Sequence, residues 1–232
     1  MLAESLAGIL ATIAAIILHE LGHGAAALAM GDRSARDAGR LSLNPLKHID
    51  KFGSVVLPLV LLVSQLATIG RVAFMFGWAK PVPIDPDALH IGRLHDPRRL
   101  MALVALAGPA TNFVLAFLGA IALYLPYGTL FWAYFILVNL VLGLFNLIPL
   151  PPLDGGRVAV GVLPLPAARW LAGCERFGIL LILLVLFVIP SLLEGLGLHF
   201  NPIANALNAV IPWAVKTVLL LAGHTAGHAD GF

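Results

Sequence analysis

Residues 5–30 read SLAGILATIAAIILHELGHGAAALAM, an apolar run with His19, Glu20 and His23 near its middle. As a helix the run is long enough to cross a hydrocarbon core of about 30 Å. Ionisable side chains so close together are costly at that depth and point to a functional site facing a cavity or a partner. On a helix, positions four apart share a face, so His19 and His23 can converge on one metal ion. Glu20, one step round, can then address a water bound to that ion. A plainer reading has the two imidazoles hydrogen-bonding neighbouring helices and one of them neutralising Glu20, although such contacts usually need only one polar group. The run is not read as a cleaved leader, because Met1 to Ser5 carry Glu4 and no Lys or Arg, whereas a leader normally opens with positive charge.

Composition points the same way. The chain has 232 residues, 60% of them hydrophobic and only 11% charged, more apolar surface than a soluble core can hide. The net charge of +2 gives no basis for a nucleic-acid partner. A single cysteine, Cys174, rules out an intramolecular disulfide and any thiolate cluster, so a metal site must use His, Asp or Glu.

Apolar runs at 5–30, 100–125, 129–148, 176–193 and 203–222 can each span, and a shorter run occupies 53–69. The expected class is therefore an all-α polytopic membrane protein of about five to six transmembrane helices, with a short membrane-associated β segment. Arg33, Arg36, Arg40, Lys47 and Lys51 sit in one polar loop, and the connections at 125–129 and 190–202 contain no Lys or Arg. The positive-inside rule puts those two connections outside and the C-terminus in the cytoplasm. The 53–69 run is basic on both flanks, at Lys47 and Lys51 and at Arg71 and Lys80. It is read as dipping in and partly returning near residues 74–78. Gly77-Trp78-Ala79-Lys80-Pro81-Val82-Pro83-Ile84 has prolines at alternate positions and reads as an extended edge segment.

Catalytic zinc normally takes three protein ligands and leaves one position for water, so the histidine pair needs a third partner. Asp154 is the leading candidate. It follows Asn146-Leu147-Ile148-Pro149-Leu150-Pro151-Pro152-Leu153 and precedes Gly155-Gly156, where prolines break a spanning helix just before a carboxylate. A loop turn at the membrane surface would use the same residue types.

An HExxH in one membrane helix paired with NLIPLPPLDGG in a later one resembles the site-2 protease family of intramembrane zinc metalloproteases, here a compact prokaryotic type without room for a PDZ domain. The second motif departs from the family's Asn-x-x-Pro-x-Pro-x-Leu-Asp-Gly pattern by one extra proline-containing step. The resemblance implies that His19, His23 and Asp154 bind one Zn2+, Glu20 activates water, and Asn146 holds substrate or the developing oxyanion. It also implies that Gly77, Trp78, Ala79, Lys80 and Pro81 belong to an edge strand that pairs with an unwound substrate. Asn112, in Leu106-Ala107-Gly108-Pro109-Ala110-Thr111-Asn112, lines the site on the same grounds. The substrates implied are transmembrane segments of other proteins, cleaved in the prokaryotic inner membrane. The resemblance covers about residues 15–160 within a single domain of residues 1–232, with a catalytic core at about 5–160. The C-terminal helices at about 176–222 rest on hydropathy alone.

Two other classes stay open: a transporter or channel with a midplane His and Glu ion site, and a homologue without catalysis. No second copy of the HExxH segment marks an inverted repeat, and neither Glu20 nor a ligand is missing. His224 and His228 repeat the spacing in a Gly-rich tail with Asp230 but lack the Glu, and read as solvated. His48, His90, His95 and His199 read as surface histidines, and Arg93, Arg98 and Arg99 as topology or headgroup contacts.

Overall fold

The computed structural model describes residues 2–71, 77–92, 96–195 and 201–225. The helices are α1 (Leu2–Ala29), a short turn α2 (Ser34–Asp37), α3 (Leu57–Ile69), α4 (Pro97–Ala122), α5 (Thr129–Asn146), α6 (Asp154–Val162), α7 (Leu165–Cys174), α8 (Gly178–Leu183), α9 (Ile189–Gly195) and α10 (Pro202–Leu221). Among the described residues, five stretches are long and apolar enough to cross a membrane: Leu2–Ala29, Lys51–Thr68, Pro97–Ala122, Thr129–Asn146 and Ile203–Leu221.

The pattern of burial is that of a bundle in lipid. Ile9, Leu10 and Ile13 of α1, Leu59, Val60 and Val63 of α3, and Val114 and Leu118 of α4 are exposed, while His19, His23, Asn112, Asn139 and Asp154 are buried. Apolar side chains on the outside are stable only against an apolar medium. Polar groups inside must find partners, because no water is available to them.

α4 is the hub and packs against α1, α5 and α6. Its start is written in sequence: Asp96 caps it by accepting from the N–H groups of Arg98 and Arg99, with Pro97 at the first turn. Small residues let its neighbours approach, with Ala116 and Ala120 fully buried against Ile136 and Leu140 of α5 and Leu219 of α10. α1 ends where Gly31 takes a φ of +96°, a conformation other residues rarely adopt.

Two expected spans behave differently from their hydropathy. The run at 53–69 forms a continuous helical stretch, started by Asp50, which accepts from the N–H groups of Phe52 and Gly53. Its wide first turns lead directly into α3, so Lys51–Thr68 is long enough to span. The expected partial return falls largely on residues 72–76, outside the described residues. The run at 176–193 is not one regular span: α8, a wide-turned stretch at Leu184–Val188 and α9 succeed one another.

The β segment expected at 77–84 is not formed as a strand. The chain from Gly77 to Asp85 has neither strand nor helix, and among the described residues two of its N–H groups pair with backbone, Trp78 with Gly53 O at 3.2 Å and Lys80 with His48 O at 2.8 Å. Pro81 and Pro83 have no N–H to donate, so a regular ladder cannot continue.

Candidate metal centre

The centre is assembled from two distant parts of the chain. α1 supplies His19 and His23 from one face, and α6 supplies Asp154 as its first residue. Pro149, Pro151 and Pro152 prevent α5 from continuing past Asn146. The chain therefore turns back and starts a new helix with the Asp154 carboxylate beside the two rings. Asp154 Oδ2 lies 3.1 Å from His19 Nε2 and 3.2 Å from His23 Nε2.

The partners of the other ring nitrogens settle the tautomers. His19 Nδ1 lies 2.5 Å from Asn112 Oδ1 and His23 Nδ1 lies 2.8 Å from the carbonyl of Val104. Both oxygens can only accept, so both Nδ1 atoms carry the proton and both neutral rings present a bare Nε2. Those two Nε2 atoms are 3.0 Å apart, and Asp154 Oδ2 is buried without a hydrogen-bond donor. Three unprotonated donor atoms facing one point repel one another unless a cation lies between them. All three lie within 4.8 Å of one another, and His with carboxylate is a zinc-type set. The residues fit a metal.

A buried amide relay stands behind His19. Asn112 Nδ2 donates to Asn139 Oδ1 at 2.7 Å, and Asn139 Nδ2 donates to the carbonyl of Phe135 at 2.8 Å. Both asparagines are 0% exposed. Asn112, expected to line the site toward substrate, is thus placed behind the ring and fixes its orientation. Asn139 escaped the sequence reading, although a lone amide within the apolar α5 is the signal that could have found it. Gly108 of α4 faces the same rings, and a methyl group there would overlap both His23 and His19.

A cleft of about 370 Å³ opens in front of the rings, lined by His19, Glu20, His23, Asn146 and Asp154 and by Gly77, Trp78, Ala79, Pro81 and Val82 of the extended segment. Lys80 is exposed and does not line it. Asn146, which lines the cleft, donates its Nδ2 to the carbonyl of Leu142 at 2.9 Å. Glu20 Oε2 accepts from the N–H of Val82 at 3.0 Å.

The extended segment is held by side chains that the sequence reading passed over. Buried Arg40 donates Nη2 to the carbonyl of Lys80 at 2.5 Å and, more distantly, to that of Pro81. Ser54 Oγ donates to the carbonyl of Trp78 at 2.8 Å. Asp32, 1% exposed, accepts from the N–H of Ser34 at 2.8 Å and of Asp85 at 2.9 Å. Burial opposes ionisation of Asp32, but the hydrogen bonds from Ser34 and Asp85 outweigh it and hold the carboxyl below the usual carboxylate range.

The remaining histidines divide. His48, read as a surface residue, is 3% exposed and bonds through Nε2 to the carbonyl of Ser42 at 2.8 Å. His224 is not free in solvent: it stacks on Tyr124 with ring centroids 4.3 Å apart and bonds the carbonyl of Ala120. His228 and Asp230, with His95, His199 and Arg93, lie outside the described residues. Arg98 bonds the carbonyl of Leu163 and Arg99 pairs with Asp96.

Comparison with known proteins shows the family. Residues 128–185 match the sequence model described as peptidase family M50. The candidate zinc metalloprotease YwhC of Bacillus subtilis is 36% identical over 195 residues, 78% of this chain and 80% of the relative. The candidate zinc metalloprotease Rip2 of Mycolicibacterium smegmatis is 31% identical over 183 residues, 76% of this chain and 64% of the relative. A shorter match, 37% over 79 residues, links it to the candidate zinc metalloprotease MJ0611 of Methanocaldococcus jannaschii. No solved structure matches the chain.

Proposed function

The chain belongs to peptidase family M50, and from that premise we propose that it cleaves transmembrane segments of other membrane proteins at a zinc centre held by His19, His23 and Asp154. Its activity is that of a site-2-type zinc metalloprotease, a metalloendopeptidase. The observation that carries the residue assignment is the convergence of two bare Nε2 atoms and an orphaned carboxylate oxygen within 4.8 Å of one another.

When bound, zinc supplies Lewis acidity and lowers the pKa of its water toward neutrality. Glu20, beside the two ligands on the same turn of α1, takes the proton from the attacking water and returns it to the leaving amine. Asn146, across the cleft, gives one Nδ2 hydrogen to Leu142, and its second Nδ2–H would donate to the substrate carbonyl oxygen as it gains charge. Asn112 and the Val104 carbonyl keep each Nε2 unprotonated and aimed at the metal. A helical substrate hides its carbonyls in its own hydrogen bonds, so it must unwind before attack. Gly77 to Pro81 offer it a substitute backbone edge beside the rings, one residue pairing at a time where prolines permit.

The proposed unit is one domain over residues 1–232 with its catalytic core at about 5–160, placed in a prokaryotic inner membrane with a cytoplasmic C-terminus. The metal then lies about 15 Å from the cytoplasmic end of α1. Zinc analysis together with cleavage of a model transmembrane substrate in detergent tests the reading. Glu20→Gln is expected to keep one zinc and lose cleavage, and Asp154→Ala to lose zinc. A wild-type protein without metal, or a cleaving Glu20→Gln, would leave the intramembrane ion-site reading in its place.

A further inference from the structure

Pro81, Val82 and Pro83 contain a single backbone N–H, that of Val82, and it is directed at Glu20 Oε2 at 3.0 Å. We propose that this N–H is a positioning donor: it fixes the rotamer of the Glu20 carboxylate so that its other oxygen faces the water-bearing side of the cleft. Val82 is thus a positioning residue that acts through Glu20. The inference rests on the reading of Glu20 as the general base.

The donor is built to stay where it is. Prolines on both sides lock φ at residues 81 and 83. The flanking backbone is anchored at Trp78 by Gly53 and Ser54, at Lys80 by His48 and Arg40, and at Asp85 by Asp32. Val82 itself is buried at the edge of the cleft. A charge-assisted hydrogen bond from a fixed donor needs little reorganisation when the proton moves. Glu20 stands half-buried on α1 with no other hydrogen-bond donor reaching its side chain among the described residues. Without Val82 the carboxylate would sample several rotamers, and only one of them serves the reaction.

This differs from a role in holding substrate. Among the described residues Trp78, Lys80 and Val82 give their N–H groups to Gly53, His48 and Glu20, so the segment can offer Ala79 to a substrate while Val82 serves the base. One strap then couples the two: a displacement that misplaces the substrate also releases the carboxylate.

Two measurements test it. The first uses the zinc-free protein in micelles with 15N-valine, the Val82 resonance being assigned by its disappearance in Val82→Ile. Hydrogen exchange of that amide is expected to speed up at least about tenfold in Glu20→Ala, the scale of one hydrogen bond to a charged group, while Val104 is unaffected. The second replaces Val82 with its α-hydroxy acid, which keeps the side chain, removes the N–H and weakens the Pro81 carbonyl only as an acceptor of the long bond from Arg40. The expected result is kcat lowered by about tenfold or more, KM within about twofold, and zinc at one per chain. Unchanged exchange, unchanged kcat, a rise in KM alone, or loss of zinc from the ester variant would each overturn the proposal. A wild-type protein that binds no zinc and cleaves nothing would sink the protease reading instead, and the exchange experiment would still decide whether Val82 holds Glu20.

Discussion

Asn112 Nδ2 donates to Asn139 Oδ1 at 2.7 Å inside the bundle, joining α4 to α5 directly behind the His19 ring. The bond turns Asn112 Oδ1 toward His19 Nδ1–H, so two amides on separate helices decide which nitrogen of His19 is bare. Asn139→Leu is expected to weaken zinc binding by about 10- to 100-fold, the usual effect of losing a group behind a metal-bound histidine. Competition against a fluorescent chelator would measure it, and unchanged affinity would show that Asn112 holds the ring unaided.

Gly108 and Gly173 make a matched pair. A methyl group at Gly108 overlaps the rings of His23 and His19, whereas one at Gly173 meets nothing within 4 Å. Gly108→Ala is expected to reduce zinc occupancy by at least about tenfold by pushing the rings aside. Gly173→Ala, inside α7, is expected to leave zinc unchanged and raise stability by up to about 1 kcal/mol. Zinc content and thermal unfolding in detergent separate the two.

Asp32 gives the extended segment a pH limit. Its folded carboxyl titrates below its unfolded value, so the unfolded state binds more protons as the medium is acidified. Its stabilisation is complete above the unfolded value and is lost as pH falls through the lowered folded value. Proteolysis of the wild type within residues 77–90 is expected to accelerate through that acid range. Asp32→Asn is expected to be more susceptible already at neutral pH and to lose most of the pH dependence.

Arg40 holds two carbonyls of the same segment with one nitrogen, from a site where only 7% of the residue is exposed. A lysine has a shorter, more flexible stem ending in a strongly hydrated ammonium, so it would not fix a nitrogen at the same buried point. Arg40→Lys is expected to lower kcat/KM by about tenfold, the scale of one charge-assisted hydrogen bond, with zinc content intact. Equal activity of the two proteins would show that the other anchors suffice.

What could be read in the chain and what could not divides along the range of the interactions. His19, Glu20 and His23 were legible because helical periodicity alone places them together. Asp154 was legible because prolines and glycines around a carboxylate mark a broken helix. Alternate prolines at 81 and 83 argued against a helix in 77–84, and none forms there, yet the lack of a strand depends on which backbone lies beside the segment, and most of its partners are side chains of Ser54, Arg40, Asp32 and Glu20. The same limit explains His48: a polar loop suggested exposure, but the fold closes the loop over the ring. Asn139 was one polar letter in an apolar helix, noticeable in principle, with a partner decided only by how α4 and α5 pack. The wide-turned stretches at Lys51–Val56 and Leu184–Val188 leave no trace in hydropathy.

The proposed ligands enter the membrane at different moments. α1 carries the proposed base and two of the ligands, and Asp154 follows in the chain only after α3, α4 and α5. A growing chain therefore holds an incomplete cradle from the time His23 is made until Asp154 joins it. Over that interval two imidazoles are present without the carboxylate that would complete a cation site.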